Sequence, residues 1–239
     1  MKTIIHKANE RGIAEFGWLH SRHSFSFGRY YNPEKMGFGI LRVLNDDIVE
    51  PGEGFGKHPH DNMEIISIVL YGELEHKDSM GTGSVIKTGD VQVMSAGNGI
   101  THSEFNHSDE RKVNFLQLWI IPKERNIKPR YDQKNFPLAD RKNKIKTVVS
   151  GIEPDEVLTI HQNASISLGN FEKKQEVNYK IQYPGNGAYL FILNGNIKLN
   201  GHTIAGKDAI GIFDTAEFSF QTESDTDFII IDVPMKQSN

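Results

Sequence analysis

Two short pairs of side chains, His58-Pro59-His60 and His102-Ser103-Glu104, carry the chemistry this sequence can offer. Side chains at i and i+2 of a β-strand leave the same face, so each pair can aim two donors at one point. Together they supply three imidazoles and a carboxylate. That set suits one borderline divalent transition ion, iron(II) first, with manganese, nickel, copper and zinc as alternatives. No cysteine occurs in the 239 residues, which excludes disulfides, thiolate metal sites and cysteine nucleophiles. An ion that prefers six ligands would keep positions open for water, dioxygen or a chelating substrate.

Glu64 has the same parity as His58 and His60. In an unbroken strand it turns towards the same point, as a ligand or as the base that takes a substrate proton; otherwise it is a buried acid hydrogen-bonding beside the pocket. Ile66 and Ile68 share that parity and are expected to wall the pocket, together with Val93 and Phe115. The remaining histidines read as structural. His20 and His23 form no i, i+2 pair, His76 reads as a strand end, and His107 sits in a polar turn with Ser108-Asp109-Glu110.

The elements that position these donors are short and β-like. Val-, Ile- and Phe-rich segments alternate with Gly, Asn and Asp punctuation, and twenty-two glycines spread along the chain. Ser24–Phe27 alternates as a half-buried strand. Phe38–Leu44 reads as a buried strand that Asn45-Asp46-Asp47 turns, and Pro51–Gly56 is a loop leading into the histidines. Pro59 cannot donate to a ladder, so its strand belongs at a sheet edge or at an irregular start. Met63–Leu70 and Glu73–His76 form strands joined by a turn at Tyr71-Gly72. A turn at Lys87–Asp90 leads into Val91–Met94, Ser95–Gly99 delivers the chain to His102, and a strand from Val113 to Ile121 closes the unit.

The second half repeats this plan in weaker form. Tyr189–Ile197 echoes Ile66–Leu74 in its apolar strand, glycine turn and exit strand, and Ala205–Asp208 echoes Thr88-Gly89-Asp90. It lacks a His-x-His pair. Between the halves, Pro122–Lys146 is basic and polar and reads as a solvated connector. The expectation is an all-β chain of two tandem barrels, 1–133 with the metal site and 134–239 without one.

A formal net charge of -4 and a sequence pI near 6.2 give no basic footprint for nucleic acid or an anionic membrane. The start, Met1-Lys2-Thr3-Ile4-Ile5-His6-Lys7, turns polar too soon for the apolar core of a signal peptide, and no run is long enough to span a bilayer. A soluble, cytoplasmic protein is expected.

With these residues in view, the chain resembles the cupin superfamily and, within it, the pirin family of two-barrel proteins. Gly52, His58, His60 and Glu64 match the first cupin signature, with its closing glycine, Gly72, one residue late. The second signature is met loosely: Gly89 is present and His102 and Asn106 keep their spacing, but Ser95 replaces the usual proline. The stretch Ser95-Ala96-Gly97-Asn98-Gly99-Ile100-Thr101-His102-Ser103-Glu104 is the most specific match to pirins. Arg22–Phe27, Tyr30–Pro33 and Glu75–Ser79 are also pirin-like.

The resemblance implies two tandem cupin (double-stranded β-helix) barrels and one metal in the first, held by His58, His60, His102 and Glu104. It ranks Glu104 above Glu64 as the ligand. It also implies an activity, since some pirins are quercetin 2,3-dioxygenases that open a flavonol's central ring with dioxygen and release carbon monoxide. The partners would then be a small aromatic substrate and O2. The alternative is a non-enzymatic metal-binding regulator that engages a protein partner, as other pirins do with transcription factors.

Overall fold

The computed structural model describes residues 1–152 and 156–236. Four antiparallel-dominated sheets make two barrels, each a seven-stranded sheet curled over a four-stranded one. In the first, the larger sheet runs through strands Arg130–Asn135, Asp90–Ser95, Glu64–Tyr71, Val113–Ile120, Leu41–Val49, Leu19–His23 and Gly12–Glu15. Its smaller partner runs Gly54–His60, Ile100–Asn106, Glu73–Asp78 and Gly83–Lys87. The second barrel repeats the plan: Lys2–His6, Ala209–Phe213, Asn186–Asn194, Thr226–Pro234, Ser165–Phe171, Lys144–Ser150 and Leu158–Thr159 face Glu176–Lys180, Glu217–Thr222, Asn196–Leu199 and His202–Ala205.

The two seven-stranded sheets pack back to back. Ile66, Ile68, Val91, Val93, Leu116, Leu118 and Ile120 of the first meet Ile166, Leu168, Tyr189, Phe191, Ile229, Ile231 and Val233 of the second in one continuous core. Sheets buried on both faces carry near-continuous apolar runs, as in Glu64–Tyr71 and Thr226–Pro234. The opposite parity points into each barrel: Val69, Val113 and Phe115 in the first, Phe228 and Ile230 in the second. Each fully buried Leu, Ile or Phe contributes about 1.5–3 kcal/mol, so this double packing sets the parity of every strand that reaches the site.

The repeat is visible in the turns. Gly72 and Gly195 both adopt φ +82 after the long central strand, and a Cβ there would lie 2.7 Å from the Lys112 carbonyl oxygen and 2.3 Å from that of Asp225. Only glycine fits such an approach. Asp90 accepts a hydrogen bond from the Lys87 N–H at 2.9 Å and Asp208 accepts one from the Ala205 N–H at 3.3 Å.

Three features differ from the sequence reading. Asn45-Asp46-Asp47 is not a turn but the middle of the strand Leu41–Val49. The strand tolerates these residues because each acid has partners: Asp46 pairs with Lys207 of the second barrel (2.8 Å) and with Asn114 (2.7 Å), while Asp47 accepts a hydrogen bond from the Ser21 hydroxyl. Ser24–Phe27 is not a strand, because the ladder ends at His23; Phe25 then turns into the core between the barrels against Tyr189, and Phe27 turns towards Trp119. Part of the expected connector is ordered as the edge strand Arg130–Asn135, paired with Asp90–Ser95 of the first barrel across the 133/134 boundary. At the other end of the chain, Lys2–His6 pairs with Ala209–Phe213 of the second.

Candidate metal centre

Three strands of the smaller sheet build the site. Ile100–Asn106 lies between Gly54–His60 and Glu73–Asp78, with His102 opposite His58 on one side and opposite Asp78 on the other. Gly54–His60 is the edge strand, as Pro59 requires. A bulge between the His102/His58 and Glu104/Phe55 pairings places one extra residue on the His58 strand. Bulges of this kind re-aim side chains. Here His58 and His60 converge on His102.

Donor atoms of His58, His60 and His102 all lie within 4.8 Å of one another. Their ring centroids are 4.4 Å apart for His58 and His102, and 4.9 Å for His60 with each of the others. The hydrogen bonds set which nitrogens are free. His58 Nδ1–H donates to the Gly56 carbonyl at 2.7 Å, which leaves its Nε2 lone pair available. His76 Nε2–H donates to Asp78 Oδ2 at 3.2 Å, so His76 Nδ1 can accept from His102 Nδ1–H at 3.5 Å. His102 Nε2 is then unprotonated. It is buried and has no hydrogen-bond partner among the described residues, which leaves a lone pair free for a metal.

Electrostatics agree with this assignment. Burial, reinforced by the neighbouring histidines, pushes His102 down to about 2, and burial followed by His58 pushes His60 down to about 4. Neutral imidazoles are the ligating form. Glu104 falls in a second group of close donor atoms, with His102 and His76. Its carboxylate is fully buried and takes hydrogen bonds from Gln117 Nε2 (2.8 Å) and the Ser67 hydroxyl (3.1 Å). Burial raises its pKa, against the lowering effect of His76, Gln117, His58 and Ser67.

Glu64 joins neither group. The chain leaves the smaller sheet at His60, passes through Asn62 at φ 47, and enters the larger sheet at Glu64, so the parity is not carried across. Glu64 faces the second barrel, beside the His161 backbone, and accepts a hydrogen bond at 2.7 Å from Ser95 Oγ on the neighbouring strand of its own sheet. Burial pushes it up to about 7, opposed by Ser95, the His161 backbone and Arg130. Ile66, Ile68 and Val93 follow it into the core between the barrels and do not wall the pocket. Phe115 does face the barrel interior.

His76, expected at a strand end, is fully buried inside the site, packed on Tyr131 at 4.7 Å and on His102 at 5.3 Å. The signal was present in the sequence, since His76-Lys77-Asp78 is itself an i, i+2 pair of an imidazole and a carboxylate. Tyr131, Ser67 and Gln117 carried no such signal. Beside the donors, Trp119 stands edge-on to His60 at 4.9 Å and Phe27 edge-on to Trp119 at 5.3 Å. Beyond Phe27 opens a cleft of about 320 Å³ lined by Phe16, Leu19, His23, Tyr30 and Phe55 among others.

Comparison with known proteins places this geometry. Residues 6–120 match the Pirin family model, and residues 147–233 match that of the quercetinase C-terminal cupin domain. A protein of Escherichia coli (strain K12) named quercetin 2,3-dioxygenase is 40% identical over 230 residues, covering 96% of this chain and 98% of the relative. A pirin-like protein of Caulobacter vibrioides is 37% identical over 222 residues, covering 92% and 95%. The crystal structure of the bacterial pirin YhhW from Escherichia coli in complex with nickel(II) superposes with a TM-score of 0.92 at 39% identity, covering 98% of this chain and 99% of that one.

Proposed function

The chain belongs to the pirin family of two-barrel cupins, and on that premise we propose that it is a metal-dependent dioxygenase that cleaves a flavonol such as quercetin with O2. His58, His60, His102 and Glu104 hold one divalent transition ion, iron(II) by choice of ligands, in the first barrel. The observation that carries this reading is the convergence of the His58, His60 and His102 imidazoles, with a buried His102 Nε2 that has no hydrogen-bond partner among the described residues. The donor set fits such an ion, with nitrogen ligands fixed in tautomer by Gly56 and by the Asp78–His76 pair.

When bound, the ion supplies positive charge that favours the deprotonated form of a chelating flavonol 3-hydroxyl. Glu104 is the carboxylate placed to accept that proton, held beside His102 by hydrogen bonds from Gln117 Nε2 and the Ser67 hydroxyl. Asp47, fully buried in the same interior and pushed by burial up to about 7, adds a second acidic group that bears on Glu104. Phe115, Val69 and Leu74 close the barrel floor against water. Trp119 packs against His60 and limits how that ring can turn.

The test is oxygen consumption with quercetin, on protein whose bound metal has been quantified, beside a His58→Ala variant. Turnover in the wild type, lost together with metal in the variant, is the expected result. No turnover across the iron, manganese, nickel, copper and zinc forms would sink the reading in favour of a partner-binding role.

A further inference from the structure

Near the glycine turns that follow the two long central strands, a crevice of about 500 Å³ opens between the barrels. Ile68, Leu70 and Val91 of the first barrel and Leu168 and Leu193 of the second line it, and Phe136 of the connecting segment completes the wall. Leu70 and Leu193 occupy the same place in the two repeats, two residues before Gly72 and Gly195. Ile68 and Val91 point away from the interior of the first barrel, so none of the metal donors lines this crevice.

Three charged side chains face the crevice, and two of them are engaged. Lys207 gives its ammonium to Asp46 at 2.8 Å, and Asp227 accepts a hydrogen bond from Asn170 Nδ2 at 2.7 Å. Arg141, the last residue of the short 3₁₀ helix Leu138–Arg141, is different. Among the described residues its guanidinium makes no hydrogen bond and no ion pair, and Nε is buried. Only Nε is closed off; the two terminal nitrogens keep accessible surface in the wall of the crevice. Burial lowers the Arg141 pKa against the raising pull of Asp227, as expected of a cation partly removed from water. Such a cation costs stability unless a counter-charge meets it, and Asp227 stands too far away to pair.

We propose that this crevice binds a small amphipathic monocarboxylate, with the anion on the Arg141 guanidinium and the apolar body against Leu70, Val91, Leu168 and Leu193. A planar guanidinium can take a carboxylate through two parallel N–H bonds. Mostly apolar pockets of this size, between two folded units and with few polar groups, suit small ligands. Asp227 on the same wall repels a second negative charge, which favours a monoanion over a dianion such as a phosphate monoester. The site needs neither the metal nor the dioxygenase reading.

The test titrates 2-naphthoate into the metal-loaded protein by calorimetry, beside 2-naphthamide, which has the same rings and no charge. Naphthoate should bind about tenfold more tightly than the amide, the worth of one charge-assisted contact. Arg141→Gln should remove that difference and leave the amide within about twofold of its wild-type affinity. Leu193→Trp, which fills the crevice from the second barrel, should weaken both probes. A melt accompanies each titration, and Arg141→Gln decides the matter even where Leu193→Trp fails to fold. Arg141→Gln should melt no lower than the wild type, because it removes a desolvated charge and breaks no pairing. His58→Ala, which disrupts the metal centre, should bind naphthoate as the wild type does. Loss of naphthoate binding in His58→Ala would assign the carboxylate to the metal and overturn the proposal. Equal binding of acid and amide, affinity unmoved by Arg141→Gln, or no heat up to about 1 mM naphthoate would overturn it as well.

Discussion

The two barrels share a strand plan and differ in what fills them. In the first, the central strand of the smaller sheet, Ile100–Asn106, carries His102 and Glu104, and its edge neighbour carries His58 and His60. The corresponding pair in the second barrel, Glu217–Thr222 and Glu176–Lys180, carries Phe218, Phe220, Val177 and Tyr179, with Phe220 opposite Val177 and Phe218 opposite Tyr179. All four are buried in one apolar cluster. Polar donors inside a barrel must each be satisfied by hydrogen bonds or a metal, and the first barrel supplies Ser67, Gln117, His76 and Asp78 for that purpose. The second barrel has Ile192, Ile197 and Ile230 at its centre, and its buried acid, Asp232, is satisfied by hydrogen bonds from the Tyr179 hydroxyl (3.1 Å), the Gln182 N–H (2.7 Å) and Asn186 Nδ2 (2.7 Å). One scaffold thus carries a donor-lined interior and a mostly apolar one, and the shared core between the larger sheets holds them together.

The strongest way to break the comparison is to give the first barrel the second one's residue. His102→Phe should abolish bound metal and quercetin-dependent oxygen uptake, because His102 belongs to both donor groups. The fold should survive, since the variant removes a buried unpaired nitrogen and adds apolar surface in an interior that already holds aromatic rings. Metal quantification by mass spectrometry beside a thermal melt checks it. Retained metal and turnover would show that the donors lie elsewhere.

The converse exchange should fail in a different way. Phe220→His places an imidazole edge-on to Phe228, whose ring now lies 5.2 Å from that of Phe220, in a cluster that offers it no designed partner. Lost packing and an unsatisfied polar group should cost about 3 kcal/mol, lowering Tm by roughly 6–12 °C. No second metal should be bound, because one imidazole without tautomer-fixing neighbours makes no site. Calorimetry with a metal count decides this, and two ions per chain would contradict it.

How far the sequence disclosed this arrangement follows from the range of each signal. Strand alternation and the repeated glycine turns are local, so the all-β duplicated plan and the His58, His60 and His102 convergence could be read directly. Glu64 was misdirected because parity is local only while a strand continues, and the chain changes sheet between His60 and Glu64. The strand through Asp46 and Asp47 was hidden for the opposite reason. Lys207, more than a hundred positions away, is what lets Asp46 lie in a ladder. Tyr131 reached the site through a strand that composition presented as solvated. Residues whose placement depends on distant partners are the ones that spacing cannot reveal.

The smallest expected effect separates the two buried acids. Glu104 shares His102 with the donors, and Glu64 sits on the other face of the larger sheet, so Glu104→Gln should lower kcat at least a hundredfold while Glu64→Gln keeps it within about threefold. Glu64→Gln should instead change stability with pH. Burial pushes Glu64 in the folded chain up to about 7 from an ordinary 4.5. Between these values the folded state holds more protons than the unfolded one, so its contribution to stability is complete below about pH 4.5 and is lost as pH rises through about 7. The full span is at most on the order of 3 kcal/mol. Denaturant melts from pH 4.5 to 8 should therefore show the wild type losing stability relative to Glu64→Gln as pH rises, with the difference levelling above about 7. Parallel curves would mean that Glu64 keeps an ordinary pKa despite its burial, and a collapse of turnover in Glu64→Gln would return that carboxylate to the metal centre.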